Sequence, residues 1–236
     1  STPLGTGASA GFPSQPSSMA VDPNGNLLVG VSPDHNLNGA IQKYDIDTGA
    51  SLGTLVSSIG TPTGIAFVTT SSVEGRMLFY NQSGTAAPLV YDGNNPAINA
   101  NDDQAIASDK SALLPGQTAT FANVSSYSKG INGVMIDLAG PHGTITAADF
   151  VFRVGNNNTP STWSAAPAPS SISVRAGAGV SGSDRITITW ANGAITKQWL
   201  EVIVLANGNT LLPQKPGYPA GQGDVFFFGN AVGNQE

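Results

Sequence analysis

Most of this chain reads as short runs in which apolar and polar residues alternate, each cut off by Gly, Pro or Asn. Residues 133–139 (GVMIDLA) put Val134, Ile136 and Leu138 on one face. Residues 149–155 (DFVFRVG) do the same with Phe150, Phe152 and Val154. In RITITWANGAITKQWLEVIVLA, Ile186, Ile188 and Trp190 alternate with Arg185, Thr187 and Thr189, and Leu200, Val202 and Val204 follow on a return strand. A period of two marks a strand with one face on a core. Asn192-Gly193 tolerates the positive φ of a tight turn, so this stretch is expected to be a hairpin. Ile203 and Leu205 predict burial on the second face as well. Further strands are expected at 77–80, 118–124, 171–177 and 224–232. Many short strands with turn residues between them predict an all-β chain: a β-sandwich, jelly-roll or immunoglobulin-like, with one short helix.

Composition sharpens this. There are 29 Gly and 16 Pro, and only 10% of residues are charged, against about 25% in ordinary globular proteins. Such a chain is poor helix material. The net charge is -6, with no cluster of Lys or Arg. That excludes the electrostatic footprint of a nucleic-acid or anionic-membrane binder. No apolar run approaches the ~18 residues of a membrane-spanning helix, so membrane insertion is not expected. With no cysteine, disulfides and thiolate chemistry are impossible. Low charge, abundant Ser, Thr, Asn and Gly, and no Cys together predict an extracellular or cell-surface location.

The first 16 residues read as an extended tail. Over 17–71, strands at 18–21, 27–31, 40–46 and 51–56 are joined by Asp22-Pro23-Asn24-Gly25 and Asp47-Thr48-Gly49. Four short antiparallel strands in about 45 residues have the size of one propeller blade. PTGIAFV (62–68) echoes PSSMAV (16–21) at that spacing. The stretch resembles one blade of the NHL-type propeller repeat. A four-stranded meander belonging to the main sandwich is the other reading. The sandwich domain itself is expected over 72–236.

The segment YDGNNPAINANDDQAIASDK (91–110) concentrates Asp and Asn in a chain with 15 acidic residues. Residues 102–114 are the best helix candidate, capped by Asn101 or Asp102 and ended by Pro115-Gly116. The same oxygens suit Ca²⁺, which takes six to eight oxygen ligands. Asp92, Asn94, Asp102 and Asp103 are the expected ligands of a structural Ca²⁺. The EF-hand spacing is absent, and a capped helix without metal explains the same residues.

Residues from about 76 to 233 resemble a module of large secreted proteins of Planctomycetes that often precedes a dockerin-type segment. The matching stretches include RMLFYNQS, DGNNPAINANDDQAIASDKSALLPGQTATFANVSSYSKGINGVMIDLAG, DFVFRVGNN, ISVRAGAGVSGSDRITITW, QWLEVIVLA and DVFFFGNAVG. The resemblance implies a secreted β module and no catalytic role. The sequence stops at Glu236 with no dockerin, so attachment through one is not expected.

Enzyme chemistry finds little support. The two histidines, His35 and His142, lie in turn contexts. No Gly-x-Ser-x-Gly elbow precedes a helix, and no His-Glu-x-x-His is present. Glu201 and Asp137 are the one carboxylate pair imaginable for glycoside hydrolysis. Trp163, in the loop NNNTPSTWSAAP, is the best sugar-stacking candidate, with Tyr127 and Tyr218 next. The expectation is a non-enzymatic structural or adhesive protein. It would self-associate through β-strand edges into a cell-surface filament or layer. The alternative is a carbohydrate-binding module that takes a polysaccharide.

Overall fold

Alternation and turn chemistry yield thirteen strands among the residues that the computed structural model describes: 16–21, 26–32, 39–60, 62–65, 70–84 and 92–231. They fall in two units, residues 1–68 and 69–236. The protein is all-β, with short 3-10 turns as its helical parts. Of the tail expected over residues 1–16, Pro16 opens the first strand, and residues 1–15, like the Asp22–Gly25 turn, lie outside the described residues.

In the first unit β1 (Pro16–Val21), β2 (Asn26–Val31), β3 (Gly39–Asp45) and β4 (Ser51–Ile59) form an antiparallel sheet in chain order. The β3–β4 turn is built by one carboxylate. Asp45 Oδ1 accepts from the Thr48 amide and hydroxyl, both at 2.8 Å, and from the Asp47 amide at 3.1 Å. Gly49 then takes φ +69° and donates to the Asp45 carbonyl. These bonds, the Thr48 hydroxyl first, hold the Asp45 carboxyl below its ordinary range. Central β2 buries Leu28, Val29 and Val31, whereas β4 is exposed along almost its whole length. Gly30 is required where it stands, because a Cβ there would meet Ser18 Oγ and the Pro62 ring. Pro62 is buried, but residues 62–65 are not a strand. The rest of the echo PTGIAFV falls on residues outside those described.

The second unit is a two-sheet sandwich. One sheet has the order β10 (Ser171–Arg175), β11 (Asp184–Thr189), β7 (Gly133–Ala139) and β5 (Ser72–Leu78), all antiparallel. The other runs β6 (Val124–Ser125), β13 (Gln222–Asn230), β12 (Trp199–Leu205), β8 (Phe150–Gly155) and β9 (Ser164–Ala165), with only the β6–β13 pair parallel. Ile136 and Ile186 from the first sheet meet Val202 and Phe226 from the second in one buried cluster. Trp190 closes it, stacked edge-on against Phe152 at 5.2 Å with its indole N–H on the Pro167 carbonyl.

Three expectations are corrected. The stretch 185–206 is not a hairpin. β11 pairs with β10 and β7, while β12 pairs with β8 and β13. Residues 190–198 carry the chain from one sheet to the other, and fully buried Ile195 plugs the core on the way. Its carbonyl receives the Ile131 amide at 2.8 Å. The apolar alternation of both strands is as read, but the two rows face each other across the core.

The helix expected over 102–114 is a 3-10 turn over Ala100–Ala105. Ala105, Ile106 and Ala107 then run beside β5: Ile106 bridges Phe79, and the Tyr80 amide donates to the Ala105 carbonyl at 3.0 Å. Sheet pairing outbids helix propensity for these apolar residues. Leu113 makes a second bridge, to Phe227. The strand expected over 118–124 is cut to β6, because Asn123 caps a turn at 121–123. It accepts from the Thr120 amide at 2.8 Å and donates to the Ser111 carbonyl at 2.9 Å.

Candidate functional site

The Asp/Asn-rich segment covers the outer face of the β10-β11-β7-β5 sheet. Asn99 starts the turn: its side-chain oxygen accepts from the Asn101 amide at 2.7 Å, and its own amide donates to Asp102 Oδ2 at 2.9 Å. This capping box turns Asp102 inward and leaves Asp103 beside two arginines. Arg175 grips Asp103 through both terminal nitrogens, and Arg185 Nη1 lies 3.0 Å from the same carboxylate. Arg185 also forms a two-pronged pair with Asp137, at 2.8 and 2.9 Å, and Asp137 accepts the Val180 amide at 3.0 Å. Burial pushes Asp103 up, but the Arg175 and Arg185 bonds outweigh it and hold the carboxyl below its ordinary range. Asp137 raises Arg185 above its ordinary value, against burial. Asp103 is therefore a partner of arginine.

Asp102 has a different neighbour. It is fully buried, and its carboxyl is pushed up to about 7. Burial is the largest cause, the Asn99 amide opposes it, and the Asp92 carboxylate pushes further in the same direction. Arg175, already spent on Asp103, is the least of these influences. Asp92 is also buried, with Oδ2 accepting from the Gln82 amide at 2.6 Å. The Asp92 amide returns to the Ser83 carbonyl at 3.3 Å, so the turn 81–83 wraps this carboxylate. Asn132 Nδ2 and the Tyr127 hydroxyl both donate to the Asn81 carbonyl, at 2.8 and 3.0 Å.

Eight buried side-chain nitrogen and oxygen atoms among the described residues have no hydrogen-bond partner, and five belong to this neighbourhood. They are Asn81 Oδ1, Ser83 Oγ, Asp92 Oδ1, Asp102 Oδ1 and Asn132 Oδ1. Leaving such a group unpaired costs about 1–3 kcal/mol, and more when it is charged. Of the four ligands expected from sequence, Asp92 and Asp102 come together. Asp103 faces arginine. Asn94 is exposed at φ +58°, with its side chain accepting from Lys129 Nζ at 3.3 Å. Sequence reading missed Asn81, Ser83 and Asn132. They lie outside the acidic segment, in RMLFYNQS and SKGINGV, and only the β5–β7 pairing brings them to it.

The three aromatic candidates do not form one site. Trp163 anchors its loop: its indole N–H donates to the Asn157 carbonyl and side chain, both at 3.0 Å, and its ring lies over Gly155 and edge-on to Phe227. It also lines a cleft of about 450 Å³ with Trp199, Leu113 and Asn156–Asn158. Tyr218 belongs to the same outer-face apolar cluster but does not line the cleft. Tyr127 packs at a tilt against Tyr80, ring centres 4.7 Å apart, beside the Asp92 turn, and burial first, then the Asp92 charge, pushes its hydroxyl up to about 12.

The imagined glycosidase pair is not assembled. Asp137 sits on the outer face of one sheet and is saturated by Arg185 and Val180. Glu201 sits on the outer face of the other, paired with Arg153 at 3.2 Å and pushed up by burial. His142 Nε2 lies 2.9 Å from Asp184 Oδ2 and Nδ1 lies 2.8 Å from the Gly143 carbonyl. His35 lies outside the described residues. Among the described residues, no three of His, Cys, Asp and Glu gather as a metal site, and no helix is long and apolar enough to cross a membrane. No protein-family model, curated protein or solved structure matches this chain.

Proposed function

We propose that this chain is a non-enzymatic extracellular structural protein that associates with further copies of itself through the open edges of its N-terminal sheet, building a cell-surface filament or layer. The observation that carries this reading is β4. It is exposed over residues 51–58, with β3 on one side and no strand on the other among the described residues. Leu52, Leu55 and Val56 leave 52%, 58% and 41% of their surface in water. No charge and no proline interrupts Ser51–Ile59. Edge strands that must stay single are usually blunted by Lys, Pro or inward charges, or by bulges. β4 has only the last: its register with β3 shifts three times, with Gly53 and Ser58 at positive φ.

β1, the opposite edge, is also uncharged and exposes Met19 and Val21. Among the described residues neither β1 nor β4 has a strand on its outer side, and two unlike edges of this kind suit head-to-tail addition, which propagates instead of closing. A charge content of 10%, with abundant Ser, Thr, Asn and Gly, supports an extracellular setting. The test is particle mass over a wide concentration range, by sedimentation velocity and light scattering. Growth with concentration is expected, and Leu55→Lys with Val56→Lys should abolish it. A monomer of 23.9 kDa at every concentration would sink the reading.

The cleft beside Trp163 favours a second reading, polysaccharide binding, because it combines indole walls with the amides of Asn156–Asn158. Retardation in polysaccharide affinity gels that Trp199→Ala abolishes would support it. Unaltered migration across a broad panel would end it.

A further inference from the structure

The geometry points to a single structural Ca²⁺ site held by the carboxylates of Asp92 and Asp102 together with the unpartnered oxygens of Asn81, Ser83 and Asn132. Two carboxylates facing each other are not enough for such an assignment, because like-charged pairs also arise by sharing a proton. The independent observation is that the neutral polar atoms around them are orphaned too. Asn81 and Asn132 are almost wholly buried, and Ser83 is 9% exposed. Each uses its other polar groups: the Asn81 carbonyl accepts Asn132 Nδ2, and the Ser83 carbonyl accepts the Asp92 amide. What remains unused on all five residues is an oxygen. A shared proton could satisfy two carboxylate oxygens. It leaves two amide oxygens and a hydroxyl unanswered.

A cation answers them together. Every available donor is hard oxygen, with two carboxylates and three neutral groups, and none is sulfur or imidazole. That set suits Ca²⁺, which accepts six to eight oxygens in flexible geometry, with water completing the shell. Mg²⁺ demands a near-ideal octahedron and keeps most of its own water, so it suits a buried cage less well. The nearby cations do not fill the role. Arg175 is bound to Asp103 through its terminal nitrogens, with Nε alone unpartnered, and Lys129 Nζ is held by the Gln82 carbonyl at 2.6 Å and by Asn94. The site also ties distant parts of the second unit together. Asn81 and Ser83 follow β5, Asn132 precedes β7, Asp92 precedes the Asn99 capping box and Asp102 is its N3 residue.

The experiment uses the whole chain, stripped with EDTA and returned to neutral pH. Isothermal calorimetry with CaCl₂ is expected to give one equivalent per chain. At about 100-fold excess over the dissociation constant, the melting midpoint is expected to rise on the order of 5–10 °C. Asp92→Asn and Asp102→Asn should lose the heat and the shift, whereas Asn94→Ala should keep both. MgCl₂ should move the midpoint less. No heat and no shift for the unsubstituted chain would overturn the site, even if both Asp variants fail to fold. An Asp102→Asn chain that melts higher than the unsubstituted one and ignores Ca²⁺, beside an unsubstituted chain that also ignores it, would show a shared proton instead. An equal response to Mg²⁺ would overturn the choice of ion.

Discussion

Leu55 and Ile188 both sit mid-strand, yet Leu55 is 58% exposed in β4 and Ile188 is fully buried in β11. The difference lies in what each sheet meets. β11 has a core on one face and an ion-pair layer on the other, where Asp137, Arg185, Asp103 and Arg175 lock the Asp-rich segment onto the sheet. β4 has neither. Alternation tells which face a side chain takes. It does not tell whether a second layer exists to cover that face. The sandwich is built to hold itself together, whereas the N-terminal sheet leaves its apolar edge available.

The largest effect should come from removing the lock. Asp137→Ala leaves the Arg185 guanidinium, 9% exposed, without its two-pronged partner. Breaking a buried pair from one side costs about 3–5 kcal/mol. Denaturant unfolding followed by Trp fluorescence should report that loss, since all three Trp lie in the second unit. A cost below about 1 kcal/mol would mean the outer layer contributes little and the contrast between the two sheets is overdrawn.

A smaller effect should come from Asp149, which joins two loops of the sandwich. It accepts from the Thr146 amide at 2.7 Å and from Asn207 and Asn209 at 3.0 Å each. Burial pushes this carboxyl up, but the bonds from Thr146, Asn209 and Asn207 outweigh it, so it stays below its ordinary 3.8. A depressed carboxyl stabilises the fold fully above its unfolded value, and the contribution fades as pH falls through the folded one. Asp149→Asn should therefore cost stability at pH 6, and the gap to the unsubstituted chain should narrow below pH about 4. A gap that is unchanged between pH 6 and pH 3 would refute the assignment.

Much of this was legible in the chain. The inward rows Val134/Ile136/Leu138 and Leu200/Val202/Val204 are where a period of two puts them. So is the second buried face of β12, where Ile203 is 1% exposed. The pairing of β11 and β12 was not legible. A hairpin and a crossover between sheets share the same alternation, and Asn192-Gly193 serves either. The helix over 102–114 misled because capping residues announce a start and say nothing of length. Two of the five residues of the proposed site were legible, Asp92 and Asp102. The rest, Asn81, Ser83 and Asn132, is contributed by strand neighbours that no local pattern links to the acidic segment.

The smallest effects draw the contrast most finely, because they compare side-chain deletions on unequal strands. Ile188→Val removes one methylene from a closed core and should cost about 0.5–1.5 kcal/mol, the usual loss where neighbours cannot collapse into the gap. Leu55→Ala removes more carbon from β4, yet should cost within about 0.5 kcal/mol, because the side chain already stands in water. The inversion, a larger deletion with a smaller penalty, is the signature of an uncovered strand. It should hold at low protein concentration, where each chain melts alone. At concentrations where the chain associates, Leu55→Ala should lose more than Ile188→Val, since the surface it trims is then buried against another copy. Melting both variants across that range measures the two regimes in one series. A Leu55→Ala penalty above that of Ile188→Val at the lowest concentration would mean that β4 is covered within a single chain.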